Sequence, residues 1–284
     1  MIAPRILLLG AQGQVGARLQ QQLGNACIAL GRKDCNFSEL TQDAAREVIQ
    51  RYAPQLIINA AGFTAVDAAE QQRALAMQVN AHAPGMLARA AGDIPFLHLS
   101  TDYVFDGTRG PYQVGDAPNP CNAYGESKLQ GEREIMNAGA RAYIFRLQWV
   151  YDTRGANFFL TMRKVLAERD AVRVVADQFG APSAATDIAK ALSQAIVKVQ
   201  SGTLATGMYH LASAGHTSWH GFTCAIAQAT GSHAVIEPIL SHEYTTAAVR
   251  PRDTRLDCSA LAAHGITMPH WRDGLKALME EACM

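Results

Sequence analysis

The sequence predicts an α/β protein, a doubly wound parallel sheet followed by a smaller C-terminal lobe. Three observations carry this expectation. Short apolar runs alternate with longer amphipathic ones through the first half, and three glycines follow the first apolar run. Past Leu147 the alternation loosens and turn-forming residues become denser. Strand and helix in repeated succession place crossover helices on both faces of a parallel sheet.

Taken in order, Arg5 to Leu9, Ala26 to Leu30, Leu56 to Asn59, Phe96 to Ser100 and Tyr143 to Leu147 read as buried strands. Helical spacing lies between them, over Val15 to Leu23, Thr41 to Arg51, Ala65 to Ala91 and Ala123 to Ala138. Further on, Phe158 to Arg169, Thr186 to Val199, Ser218 to Thr230 and Trp271 to Ala282 are expected as helices and Val172 to Ala176 as a strand. Gly202, Gly207, Gly215, Gly231, Pro238 and Pro251 punctuate this part as a second lobe beside the sheet, with a cleft between. The expected division is 1–150 against 151–284, with return segments from the second part to the sheet. The Gly- and Pro-rich stretch Asp106 to Cys121 is the longest expected loop and a candidate cover for a site.

Bulk properties exclude several classes. The 284 residues balance 25 basic against 25 acidic side chains, with no Lys/Arg run long enough to hold a phosphate backbone, so nucleic acid is not an expected partner. Only four consecutive aliphatics, Ile6 to Leu9, follow the N-terminus, and no stretch reaches the length of a membrane span. The six cysteines (Cys27, Cys35, Cys121, Cys224, Cys258, Cys283) are scattered without a C-x-x-C pair, so buried reduced thiols and a cytoplasmic location are expected.

The first turn carries the first chemistry. Gly10, Gly13 and Gly16 stand three apart, directly after a strand and into a helix, as in a Rossmann-type dinucleotide site. One glycine permits the tight turn, one lets backbone N–H groups approach a pyrophosphate, and one lets helix and strand pack closely. The alternative is a tight turn without a ligand. After the second strand comes Gly31-Arg32-Lys33-Asp34. Arg32 favours the 2′-phosphate of NADPH, while Asp34 keeps NADH open; a solvated loop charge is the plain alternative for Arg32.

A reducing centre follows. Tyr124 and Lys128 stand four apart on one helix face, where an ammonium brings a phenol towards the working pH range as proton donor to a ketone oxygen. Alone, such a pair is an exposed helix pair. Thr101, in Leu99-Ser100-Thr101-Asp102 at a strand end, supplies a hydroxyl for the same oxygen; otherwise it caps a turn. The three elements in this order resemble the short-chain dehydrogenase/reductase superfamily.

The resemblance sharpens over nearly the whole length. Asn59 to Asp67, Ser100 to Gly107, Trp149-Val150-Tyr151, Asn157-Phe158, Asp177 to Pro182, Gly207 to Leu211, Arg250-Pro251 and Arg255-Leu256 resemble the dTDP-4-dehydrorhamnose reductase family. That resemblance implies reduction of the 4-keto group of dTDP-4-dehydro-6-deoxy-L-mannose by NAD(P)H. It implies Tyr124 as proton donor, Lys128 on the nicotinamide ribose and Thr101 on the keto oxygen. It places Gly10, Gln12, Gly13, Gln14, Val15, Gly16, Asn36, Phe37, Ala60, Ala61, Gly62, Phe63, Thr64 and Leu99 along the cofactor, with Tyr124 and Lys128. Arg32, expected there from its place after the second strand, departs from the family, which often has an acidic residue at that point. Thr101, Asp102, Val66, Trp149 and Arg250 fall along the sugar nucleotide. Some members dimerise through a magnesium ion held by glutamates; Gln14-Val15 stands at one such position here, so no metal bridge is expected, and a homodimer is left open. His216 and His220, which could share a helix face, read as structural rather than as metal ligands.

Two rivals remain at this stage. One is another nucleotide-sugar reductase, epimerase or dehydratase of the superfamily; a dehydratase needs a further acid/base pair, whereas Asp102 is the only acid directly beside Thr101. The other is a non-catalytic NADP-binding regulatory subunit, which has no need of Thr101, Tyr124 and Lys128 together.

Overall fold

The structure, a computed structural model, describes residues 5–282. Its central sheet has six parallel strands: β1 (Ile6–Leu9), β2 (Cys27–Leu30), β3 (Leu56–Asn59), β4 (Phe96–Thr101), β5 (Ala142–Leu147) and, outermost, Gly207–Leu211. The order is β2-β1-β3-β4-β5 and then Gly207–Leu211. Every residue of β1, β3, β4 and β5 is buried because helices cover both faces, which explains apolar runs without alternation. Ile6 and Leu8 join the core under helices Gln14–Leu23 and Ala185–Gln200, while Leu7 and Leu9 face Gln42–Tyr52 and Ala83–Ala91. The chain reverses direction of winding between β1 and β3, so a crevice opens at their carboxyl ends.

Three expectations need correction. Gly207–Leu211 was expected in the second lobe, yet it pairs with β5 from Gly207↔Tyr143 to Leu211↔Leu147. The stretch Ala65 to Ala91 is not one helix. It divides at Gln72 into Val66–Gln71 and Arg73–Met77, widens into a π turn over Gln78–His82 and ends as Ala83–Ala91. The wide turn buries Asn80, which accepts from Phe63 N–H at 2.7 Å and donates to Phe63 C=O at 3.0 Å and to Ser127 Oγ at 2.9 Å. Asn80 thereby docks the helix Ala123–Asn137 against the loop that follows β3. The loop 106–121 does not line the cleft at the carboxyl ends of the strands: Tyr112 N–H donates to the Arg255 carbonyl, and the Tyr112 ring stacks on Phe105.

The rest of the chain packs around a smaller core of Tyr151, Phe159, Phe222, Trp271 and Leu275. Strand Ala171–Val175 pairs in parallel with Val235–Ile239 beneath helices Phe158–Glu168 and Trp219–Thr230. A buried bidentate contact from Arg18 to Asp152, 2.9 and 2.5 Å, ties this part to the helix of the glycine turn. No disulfide forms among the described cysteines. Contrary to the expectation of buried thiols, Cys35 is buried but Cys27, Cys121 and Cys258 are only partly so and Cys224 is exposed, while Cys283 lies outside the described residues. His216 sits in a loop ahead of the helix that carries His220, so the two share no helix face. Among the described residues, no helix is long and apolar enough to cross a membrane.

Candidate active site

A cleft of about 1180 Å³ runs along the carboxyl ends of β1, β3 and β4 and beneath the second lobe. The glycine turn forms one end. Gly10 has φ +79°, and a Cβ there would overlap the backbone of Ala61; a Cβ on Gly16 would overlap the Gly10 carbonyl. Those two glycines serve the turn and the helix–strand contact. Gly13 differs, since a Cβ there would meet nothing closer than 3.4 Å and would stand in the cleft. Gly13 is also the N-cap of Gln14–Leu23 and offers no side chain to the first-turn N–H groups. Orphan donors at a helix N-terminus with open space before them suit a pyrophosphate, so the residues present fit a dinucleotide.

Gln12, Gln14, Val15, Ala60, Ala61, Gly62, Thr64 and Leu99 line the same cleft. Other expected cofactor residues do not. Phe37 is 5% exposed and sits in the core, where its carbonyl accepts from Gln78. Asn36 spends its side-chain oxygen on Ser38, and Phe63 packs against the core through its ring. Arg32 is exposed, beyond the cleft lining, in a turn closed by Gly31 N–H on Asp34 Oδ2 at 2.9 Å.

The reducing centre assembles from two elements. Thr101 ends β4, and Asn122 caps the helix that presents Tyr124 and Lys128, accepting from Gly125 N–H at 2.8 Å. All three side chains line the cleft. Burial pushes the Tyr124 phenol up to about 12, with the Thr101 hydroxyl beside it pulling the other way. The expected downward pull of Lys128 on this phenol is absent: Lys128 Nζ is turned to the Leu99 carbonyl at 2.6 Å and His98 Nε2 at 3.2 Å. Burial brings Lys128 itself down to about 8, opposed by Glu132 one turn on. Tyr124 is therefore a phenol that holds its proton until an acceptor arrives.

On the other wall, Asp102 is 2% exposed. Its carboxylate accepts from Thr101 at 3.2 Å, Gln148 at 3.0 Å and Thr254 at 2.5 Å, while burial raises it to about 6. Trp149 has φ +44°, an uncommon conformation for a bulky residue, and its ring stacks on Trp219 at 3.5 Å between centroids. Val66 lines the mouth, and Arg250 grips Asp67 through two contacts of 3.0 and 2.6 Å.

The family model described as the RmlD substrate binding domain matches residues 4–284. The chain belongs to this family of dTDP-4-dehydrorhamnose reductases. It is 40% identical to the dTDP-4-dehydrorhamnose reductase of Burkholderia thailandensis, over 94% of this chain and 95% of that one. The Salmonella typhimurium reductase is 35% identical over 97% of each. A dTDP-4-dehydrorhamnose reductase from Bacillus anthracis, solved in complex with NADP, superposes with a TM-score of 0.91 at 31% identity, covering 99% of this chain and 100% of that one.

Within this family member the cleft also holds residues that sequence reasoning missed. Tyr103 lines it with its ring edge-on to Tyr124 at 5.8 Å, and it stood unnoticed beside Asp102 in a segment already singled out. Trp219 and the 244–249 segment line it as well, and neither carries a local sequence signal, because they reach the site only through tertiary packing.

Proposed function

We propose that the chain reduces the 4-keto group of dTDP-4-dehydro-6-deoxy-L-mannose to give dTDP-L-rhamnose, with residues 1–150 holding the cofactor and most of 151–284 holding the sugar nucleotide. The observation that carries this reading is the convergence of Thr101, Tyr124 and Lys128 on one cleft with the uncapped helix of the glycine turn. Bound there, a nicotinamide supplies the hydride for carbon 4. The protein does the rest. The Thr101 hydroxyl, which donates to Asp102 Oδ1 before substrate arrives, turns its one proton to the keto oxygen. Tyr124 donates there too and passes its proton to that oxygen as negative charge develops. Lys128 holds the nicotinamide ribose, and the first-turn amides after Gly13 hold the pyrophosphate.

Asp102 supports reduction over epimerisation or dehydration. Its carboxylate keeps the Gln148 and Thr254 donors when Thr101 turns to the substrate, so it is not free to abstract a proton beside the ketone. Trp149, braced by Trp219, offers a flat apolar wall to the nucleotide sugar. Arg32, exposed after the second strand, supports a ribose 2′-phosphate partner by its charge, so NADPH is the proposed cofactor and NADH the weaker one. Initial rates on the enzymatically generated 4-keto sugar with each cofactor test the reading. Cofactor oxidation by the isolated chain, faster with NADPH, is expected; no oxidation, or turnover only with a copurified second enzyme, overturns it.

A further inference from the structure

Behind Lys128 runs a buried chain of hydrogen bonds whose donors and acceptors can be assigned one after another. Asn59, at the end of β3, and His98, in the middle of β4, are fully buried. Ala61 N–H donates to Asn59 Oδ1 at 3.1 Å, which fixes the amide, since the reversed amide would set donor against donor. Asn59 Nδ2 then donates to His98 Nδ1 at 2.9 Å. A ring nitrogen that accepts carries no proton, so neutral His98 holds its proton on Nε2. That N–H points at Lys128 Nζ, 3.2 Å away, while Nζ donates to the Leu99 carbonyl. An ammonium has donors only and meets the imidazole N–H as a clash. A neutral amine accepts it through its lone pair.

We propose that Asn59 and His98 are positioning residues that set the charge of Lys128, favouring its neutral amine in the cofactor-free protein by presenting it with an imidazole N–H. Burial holds His98 well below its usual 6.5, so the ring stays neutral. Burial, opposed by Glu132, draws Lys128 down to about 8, and the facing N–H acts in the same direction as burial. The other titratable groups packed around this lysine are few. Tyr124 and Glu132 share its helix, Asp102 and Tyr103 follow β4, and Arg146 on β5 is bound to Glu132 at 2.9 and 2.7 Å. On the flanking helices, Arg73 is paired with Glu70 and Glu126, and His82 with Glu134. Among these groups Glu132 is the one that raises Lys128. The consequence for catalysis rests on the reductase reading above; the proton assignment does not.

The test uses the whole chain without cofactor or substrate, so it stands apart from the fate of the reductase reading. With 15N-labelled histidine, long-range 15N–1H correlation at pH 7 is expected to show His98 protonated at Nε2 and bare at Nδ1. A ring protonated at Nδ1, or at both nitrogens, overturns the proposal. Lys128 is then titrated by the pH dependence of its acetylation, read by mass spectrometry. In Asn59→Asp the carboxylate accepts Nδ1–H, turns Nε2 into an acceptor and moves the Lys128 titration up by about one pH unit. An unmoved titration in a folded Asn59→Asp protein contradicts the proposal. So does a shift that persists in full in a His98→Leu background, since it would come from the bare carboxylate charge. Should Asn59→Asp fail to fold, the wild-type tautomer still decides.

Discussion

Replacing Tyr124 with phenylalanine removes one oxygen from the centre of the cleft and little else. The ring keeps its edge-on contact with Tyr103 at 5.8 Å, and the hydroxyl lies beside the Thr101 hydroxyl. The lost side-chain bond is neutral and worth about 1 kcal/mol at most, so folding stability should barely change. The reaction loses much more. A positioned general acid contributes roughly 10²–10⁴-fold, and at ~1.4 kcal/mol per decade the variant's barrier rises by about 3–5 kcal/mol. Burial sharpens the expectation, because a phenol held up at about 12 is fully protonated at neutral pH and every free enzyme molecule carries the donor. The assay is NADPH oxidation at saturating 4-keto sugar, beside cofactor affinity from quenching of tryptophan fluorescence. Turnover should fall at least 100-fold while NADPH affinity stays within about twofold. Turnover within a factor of about three of wild type would refute the role of Tyr124.

Other expectations follow from the same geometry. Gly13→Ala should fold with a melting temperature close to wild type yet bind NADPH at least tenfold more weakly, because its Cβ occupies the cradle; Gly16→Ala, which overlaps the Gly10 carbonyl, should melt well below wild type by calorimetry. Arg32→Ala should weaken NADPH by roughly tenfold and leave NADH nearly unchanged in equilibrium titrations, with equal losses for both marking Arg32 as a bystander. Glu132→Gln leaves the buried Arg146 guanidinium without its carboxylate and should lower stability in urea by ~3 kcal/mol or more. Acid should destabilise the fold. His210 is held neutral down to about 4 by burial and His98 is likewise held well below 6.5, so near pH 5 the unfolded chain binds two protons that the folded one refuses. Asp102, raised to about 6, keeps one proton that the unfolded chain releases. The net uptake near pH 5 is about one proton, so urea stability should fall by ~1.4 kcal/mol per pH unit there, and a flat profile would contradict these burials.

How much of this was legible depends on whether the signal is local. The run Ile6 to Leu9 ending on Gly10 specifies strand, turn and helix within a few residues, and both fold class and glycine turn could be read from it. Tyr124 and Lys128 share a helix face by spacing alone, and their common cleft with Thr101 is observed. The charge relation between them was misread, because spacing does not reveal that the Leu99 carbonyl and His98 capture the lysine from the opposite side. The break within 65–91 escaped because alanine-rich sequence suits a helix throughout, while the π turn is held by Asn80 gripping the loop after β3. Gly207–Leu211 lacks the look of a buried strand, since His210 reads as polar; its burial follows from Arg146 and Phe105 on neighbouring elements. Phe37 marks the limit of carrying a family's residues over one by one, for the fold turns it into the core.

The central claim is hydride delivery to carbon 4 of a nucleotide-bound keto sugar, with the proton supplied from the site around Tyr124. The measurement that tests it most directly is product mass and NMR after reaction with NADPH deuterated at the transferable position of the nicotinamide. The account predicts dTDP-L-rhamnose carrying one deuterium, on carbon 4, formed by the isolated chain and lost in Tyr124→Phe. Unlabelled product, label at another carbon, or unchanged substrate would contradict it.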